Sequence, residues 1–146
     1  MTFAIALLLT GLIQAAEIEH ARTALRQGDL IAAEHWLERA GTGDPVAVLL
    51  RGNVAYERGN AHEARRLWEE SWRLESGEAT PPSLKGVEAS LEAGEEVPAA
   101  LRNLLLARDA VSRANRLDAA ANRIRAALAV ALVAAGLSLV LLAGRN

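Results

Sequence analysis

The stretch RGNVAYERGNAHEARRLWEESWRLES, running from Arg51 to Ser76, decides the fold. Its central Gly59-Asn60 pair ends one helix and permits a tight turn, because a left-handed backbone costs glycine nothing. Ala64 follows five residues after Gly59, small enough to let two helices approach closely. Trp68, one turn later on the same face, fills the space between them. Ser71 repeats the small side chain, and Ser76-Gly77 closes the unit.

The same punctuation stands upstream. Gly28-Asp29 is followed by Ala33, Leu37 and Ala40, and the unit closes at Asp44-Pro45. Gly28 and Gly59 lie 31 residues apart, a period that implies stacked helical hairpins rather than one central core. Pro45 suits the first position of the next helix, where its missing N–H is harmless. Asp44 is placed to cap that helix.

On these residues the second unit resembles a tetratricopeptide repeat. Gly52, Tyr56, Gly59, Ala64, Trp68 and Leu74 stand where that family places its small, aromatic, turn, small, large and apolar residues. The first unit, LRQGDLIAAEHWLERA with Pro45, matches in its second half, while its first helix, from Glu17, departs from the pattern. The spacing is also about three residues shorter than the family's. A third, degenerate unit, SLKGVEASLEAGEEVPAALRNLLLARDA, has Gly86, Gly94 and Ala100 in suitable places.

The expected fold is therefore all-α: a short TPR-like solenoid of helical hairpins, then one long helix running into a C-terminal transmembrane span. Helices are expected near residues 17–27, 30–40, 46–58, 61–75 and 83–93, with the long one from about 98 to 143. The expected segments are 1–16 as signal peptide or short anchor and 17–76 as two repeats. A linker at 77–83, a third hairpin at 84–107, a juxtamembrane helix at 108–125 and a span at 126–144 follow. Pro81 and Pro82 break the helix in that linker.

The terminal segments carry the membrane reading. Ala126 to Gly144, AALAVALVAAGLSLVLLAG, has no charged residue and one polar side chain, Ser138. As a helix, this run spans about 28 Å, close to the hydrocarbon thickness of a bilayer. The N-terminal run from Phe3 to Ile13 is 11 residues, the length of a signal-peptide core, although no Lys or Arg precedes it. Arg108, Arg113, Arg116, Arg123 and Arg125 precede the C-terminal run and only Arg145 follows it. That charge pattern favours repeats on the cytoplasmic side, whereas the short first run favours export. Length is given the greater weight, so the expectation is a single C-terminal span in a bacterial inner membrane with exported repeats. The bacterial assignment rests on the Ala, Arg, Gly and Leu bias. Ala127, Ala131 and Ala135 form a small-residue ridge on the span that suits close packing with another membrane helix.

Chemistry is hard to place on this chain. It has no cysteine, and its net charge of −2 is spread without the clustered basic face that nucleic acid requires. His20, His35 and His62 lack metal-ligand spacing; Glu17 and His20 give the Glu-x-x-His step of a di-iron helix once, where two are needed. Gly41-Thr42-Gly43 lacks the lysine of a phosphate loop. No enzyme activity and no cofactor are expected.

Stacked hairpins offer binding instead, because their first helices line a concave surface that can hold a peptide or partner helix. The groove candidates are Arg22, Arg26, Leu49, Asn53, Tyr56 and Glu57, and the resemblance implies that Asn53 is the groove asparagine. Two positions that clamp a terminal carboxylate in chaperone-type relatives are Ile18 and Leu50 here. The partner expected is a protein or peptide bound by a membrane-anchored scaffold. The alternative is a structural subunit of a membrane complex, contacting partners through its stalk and span. Along the stalk, Val97, Leu101, Leu104, Val111, Leu117, Ala121, Ile124 and Leu128 recur at threes and fours. That stripe can pack on the repeats or support self-association.

Overall fold

Glycine and proline punctuation divides the chain where the spacing predicts. The computed structural model describes the backbone of residues 2–143 and the side chains of residues 11–133. Among these it has six helices and no strand: α1 (Thr2–Arg26), α2 (Leu30–Ala40), α3 (Pro45–Glu57), α4 (Ala61–Ser76), α5 (Leu84–Glu92) and α6 (Ala99–Ala143). Gly28 and Gly59 adopt φ of +74° and +79°, the left-handed conformation their turns demand. Asp44 caps α3, its carboxylate accepting from Val46 N at 2.8 Å and Ala47 N at 3.0 Å, with Pro45 opening the helix. Asp29, Asn60 and Ser83 cap α2, α4 and α5 in the same way.

The expected ends of α2 to α6 fall within one residue of those observed. The start of α1 differs. It was expected near residue 17, as a helix separate from the N-terminal segment, but α1 is continuous from Thr2. The cause is local: Gln14, Ala15, Ala16 and Glu17 are all good helix formers with no proline among them. Burial marks the boundary that the backbone does not. Residues 11–16 are exposed or half-buried, and Glu17 and Ile18 are the first buried side chains among those described.

The chain divides into two units, Met1–Ala110 and Val111–Asn146. The first unit holds two apolar clusters in series. One joins Ile18, Ala21 and Ala24 of α1 to Ala33, Leu37 and Ala40 of α2 and Ala47, Leu50 and Val54 of α3. The other joins Ala64 and Trp68 of α4 to Val87 of α5 and to Val97, Leu101, Leu104 and Ala107 at the start of α6. Alanine at so many inward positions brings the helix axes close together, and Leu37 and Trp68 supply the bulk between them. Arg39 of α2 donates to the buried Glu17 at 2.9 Å, tying the two helices of the first hairpin.

The second unit is helical throughout its described backbone, and its large apolar side chains Leu117, Ile124 and Leu128 are exposed. The expected stripe therefore splits: Val97, Leu101, Leu104 and Val111 are buried, whereas Leu117, Ile124 and Leu128 are exposed and Ala121 is half-buried. Among the described residues, no helix is long and apolar enough to cross a membrane. Most of the expected span lies outside the described side chains, which end at residue 133. Of its small-residue ridge, Ala127 and Ala131 are exposed, and Ala135 lies outside that range.

Candidate partner-binding groove

Tyr56 and Asn53 lie one turn apart on α3 and share one face. Trp68 crosses beneath that face from α4. Its indole Nε1 donates to Asn53 Oδ1 at 3.0 Å and to the Leu49 carbonyl at 3.2 Å. An indole nitrogen can only donate, so the side-chain oxygen of Asn53 is the atom facing it. Asn103 of α6 donates to the same oxygen at 3.0 Å. The Asn53 amide is thereby fixed by partners on two other helices. Its Nδ2 makes no hydrogen bond among the described residues, which leaves two N–H donors for a ligand. The Tyr56 ring leans on Trp68 with ring centres 5.6 Å apart.

Around this pair lies a cavity of about 360 Å³, lined by Leu25 and Arg26 of α1, Asn53, Tyr56 and Glu57 of α3, Trp68 of α4, and Asn103 and Leu106 of α6. Arg26 and Glu57 are exposed and present opposite charges, while Leu25, Leu106 and the two rings give apolar walls. Such a mixture suits a peptide segment with one apolar anchor, backbone amides to satisfy and charges on either side.

Four of the six sequence candidates meet here: Arg26, Asn53, Tyr56 and Glu57. Arg22 does not line the cavity; it pairs with Glu19 of its own helix at 2.5 Å. Leu49 is half-buried against the second apolar cluster, and its carbonyl is occupied by Trp68. Ile18 and Leu50, at the clamp positions, are both buried in the first cluster. Sequence reasoning missed Leu25, Asn103 and Leu106. The signal for Asn103 was slight: it is one of two polar residues, with Arg102, between Leu101 and Leu104 of an apolar stripe.

Trp36 and Trp72 are half-buried. Trp36 packs on the first cluster, with the His20 ring stacked 4.6 Å away and the Arg39 guanidinium 5.2 Å from its centre. Trp72 packs on the second cluster, and its buried indole N–H has no acceptor among the described residues.

A larger cavity, about 840 Å³, lies between α2, α3 and α4 and carries many charges. Most of those charges are satisfied internally. Arg58 pairs with Glu34, Arg66 with Glu63 and Glu70, and Arg51 donates to the carbonyls of Leu37 and Gly41. The hydrogen bond from Arg66 holds the Glu63 carboxyl below its ordinary value, and the same pair raises Arg66. At these paired groups a ligand charge would have to displace existing partners, whereas the groove offers an open amide. Among the described residues, no group of three His, Asp or Glu side chains converges to hold a metal.

No protein-family model matches the chain, and neither a curated protein nor a solved structure matches it at a significant level.

Proposed function

We propose that this protein is a TPR-like scaffold that binds a peptide or protein partner in the groove between α1, α3 and α6. Its C-terminal apolar run holds it to a membrane, and it carries out no catalysis of its own. The observation that carries this reading is the convergence of Arg26, Asn53, Tyr56 and Glu57 on one cavity, all on the first helices that a TPR-like arrangement turns to its concave face. The 31-residue repeat of turn, small and large residues supports the TPR-like assignment. The uncharged run from Ala126 to Gly144 supports the anchor.

The groove is tested by selecting displayed peptides on the full-length protein and measuring their binding to variants. Arg26→Glu with Tyr56→Ala and Glu57→Lys should weaken a selected peptide at least about tenfold, as loss of a central anchor does. Ile31→Ala, on an exposed face of α2 that does not line the cavity, should leave binding unchanged. Equal binding to both variants would remove the groove from the proposal. The anchor is tested separately, by flotation of the full chain with liposomes and its loss when residues 126–146 are deleted.

A further inference from the structure

In the second unit, Ala114, Leu117, Ala121, Ile124, Leu128 and Ala131 follow one another at intervals of three, four, three, four and three. That alternation is the heptad seam of a coiled coil, with Ala114, Ala121 and Leu128 at a and Leu117, Ile124 and Ala131 at d. Between Arg113 and Ala127, every large apolar side chain stands on this seam. Leu117 and Ile124, which precede the apolar run from Ala126, are 71% and 62% exposed. An isolated helix gains most of its stability from packing an apolar face, and this face is left open.

We infer that the seam pairs with a second copy of this chain as a parallel two-stranded coiled coil. The flanking charges identify the occupant. Arg113 stands at g and Asp118 at e of the next heptad, the two positions that face each other across a parallel dimer. Two copies therefore bring each Arg113, which already has an interaction within its own chain, opposite the other's Asp118, once on each side of the seam. Arg116 and Arg123 both stand at c, away from the seam, where they stay solvated and do not oppose each other. Small alanine alternates with Leu and Ile from Ala114 to Ile124, which permits close approach of the two helices. The parallel direction rests on the anchored reading. Asp118 would also meet Arg125 in an antiparallel pair, but that arrangement sends the two apolar runs to opposite ends, which one membrane does not allow.

The consequence is a bivalent scaffold. Each dimer carries two grooves, so a partner with two binding segments is held more tightly than one groove alone allows.

The chain has no cysteine, so single cysteines report on the seam without background. In full-length protein, Leu117→Cys and Leu128→Cys should each give disulfide-linked dimers under mild oxidation, because like seam positions face each other in a parallel pair. Arg116→Cys, off the seam, should give at least about fivefold less. Arg113→Asp should lower the yield from Leu117→Cys, and adding Asp118→Arg should restore it. All five substituted sites are exposed, so loss of the hairpin fold does not confuse the result. Equal linking at Leu117 and Arg116, or no linking at all, would overturn the dimer. Linking only in a mixture of the Leu117→Cys and Leu128→Cys proteins would overturn the parallel arrangement. Flotation with liposomes reports on the anchor independently of either outcome.

Discussion

Gly52 lies directly against Trp68. A methyl group on Gly52 would stand 2.5 Å from Cδ1 and 3.1 Å from Cε2 of the indole, and closer still to Nε1. The indole cannot move aside cheaply, because its nitrogen is hydrogen-bonded to Asn53 and Leu49 and the ring is 2% exposed. In an ordinary helix interior, replacing glycine by alanine stabilises by about 0.5–1 kcal/mol. Here the overpacking cost of about 1–3 kcal/mol is larger. Gly52→Ala should therefore lower stability in a denaturant titration followed by tryptophan fluorescence. Unchanged or increased stability would show that the helices can separate at this point.

Much of this architecture was legible in the sequence because local chemistry dictates it. Gly28 and Gly59 had to be turns, Asp44-Pro45 had to open a helix, and Ala64 with Trp68 had to face a neighbouring helix. The start of α1 was not legible, since nothing between Ile13 and Glu17 breaks a helix and only packing shows where the hairpin body begins. The groove was half legible. Residues of α3 were found by their spacing from Gly59, but Asn103 lies 50 residues from Asn53, and no local pattern encodes that pairing. Arg22 shares a face with Arg26 but stands a full turn nearer the start of α1, beyond the end of the cavity, and pairs with Glu19 there.

Asn103 connects α6 to the groove through one side-chain hydrogen bond. Asn103→Leu removes that donor, and Asn53 Oδ1 keeps its bond from Trp68. The expected loss of stability is about 0.5–1.5 kcal/mol, the usual worth of one such bond. Peptide binding should fall by more than this stability change implies, because the Asn53 amide is then held from one side only. Comparing the melting temperature with groove affinity for the same variant separates the two effects. Identical fractional losses would mean that Asn103 only supports the fold.

Acid should weaken the α4 surface through Glu63. Its folded-state pKa lies below the ordinary value of 4.5, chiefly because Arg66 donates to it, with a smaller contribution from the charge of Arg66 and some opposition from burial. A depressed carboxylate contributes stability that is fully present above 4.5 and disappears as pH falls through the folded value. The side chain is 40% exposed, so solvent screening keeps the effect small. Wild type should be slightly more stable than Glu63→Gln at about pH 7, and the two melting temperatures should converge by about pH 3. A constant difference across that range would assign the effect to something other than this ion pair.

Arg51 joins two hairpins by a route that sequence patterns did not suggest. From α3, its Nη2 donates to the carbonyl of Leu37 at 2.6 Å and that of Gly41 at 2.9 Å, at the C-terminal end of α2. The last carbonyls of a helix lack intrahelical donors, and a cation there also meets the negative end of the helix dipole. One guanidinium thus satisfies two acceptors of the first hairpin from the first helix of the second hairpin. Charge-assisted hydrogen bonds of this kind are worth about 1.5–3 kcal/mol. Arg51→Met keeps the length and apolar stem of the side chain while removing its donors. It should destabilise by about 1.5–3 kcal/mol and speed amide hydrogen exchange in the last turn of α2 more than in α4. Arg51→Lys should recover only part of the loss, because an ammonium is a compact point charge without the planar fork of a guanidinium. If Arg51→Met exchanged and melted like wild type, the contact between α2 and α3 would rest on apolar packing alone.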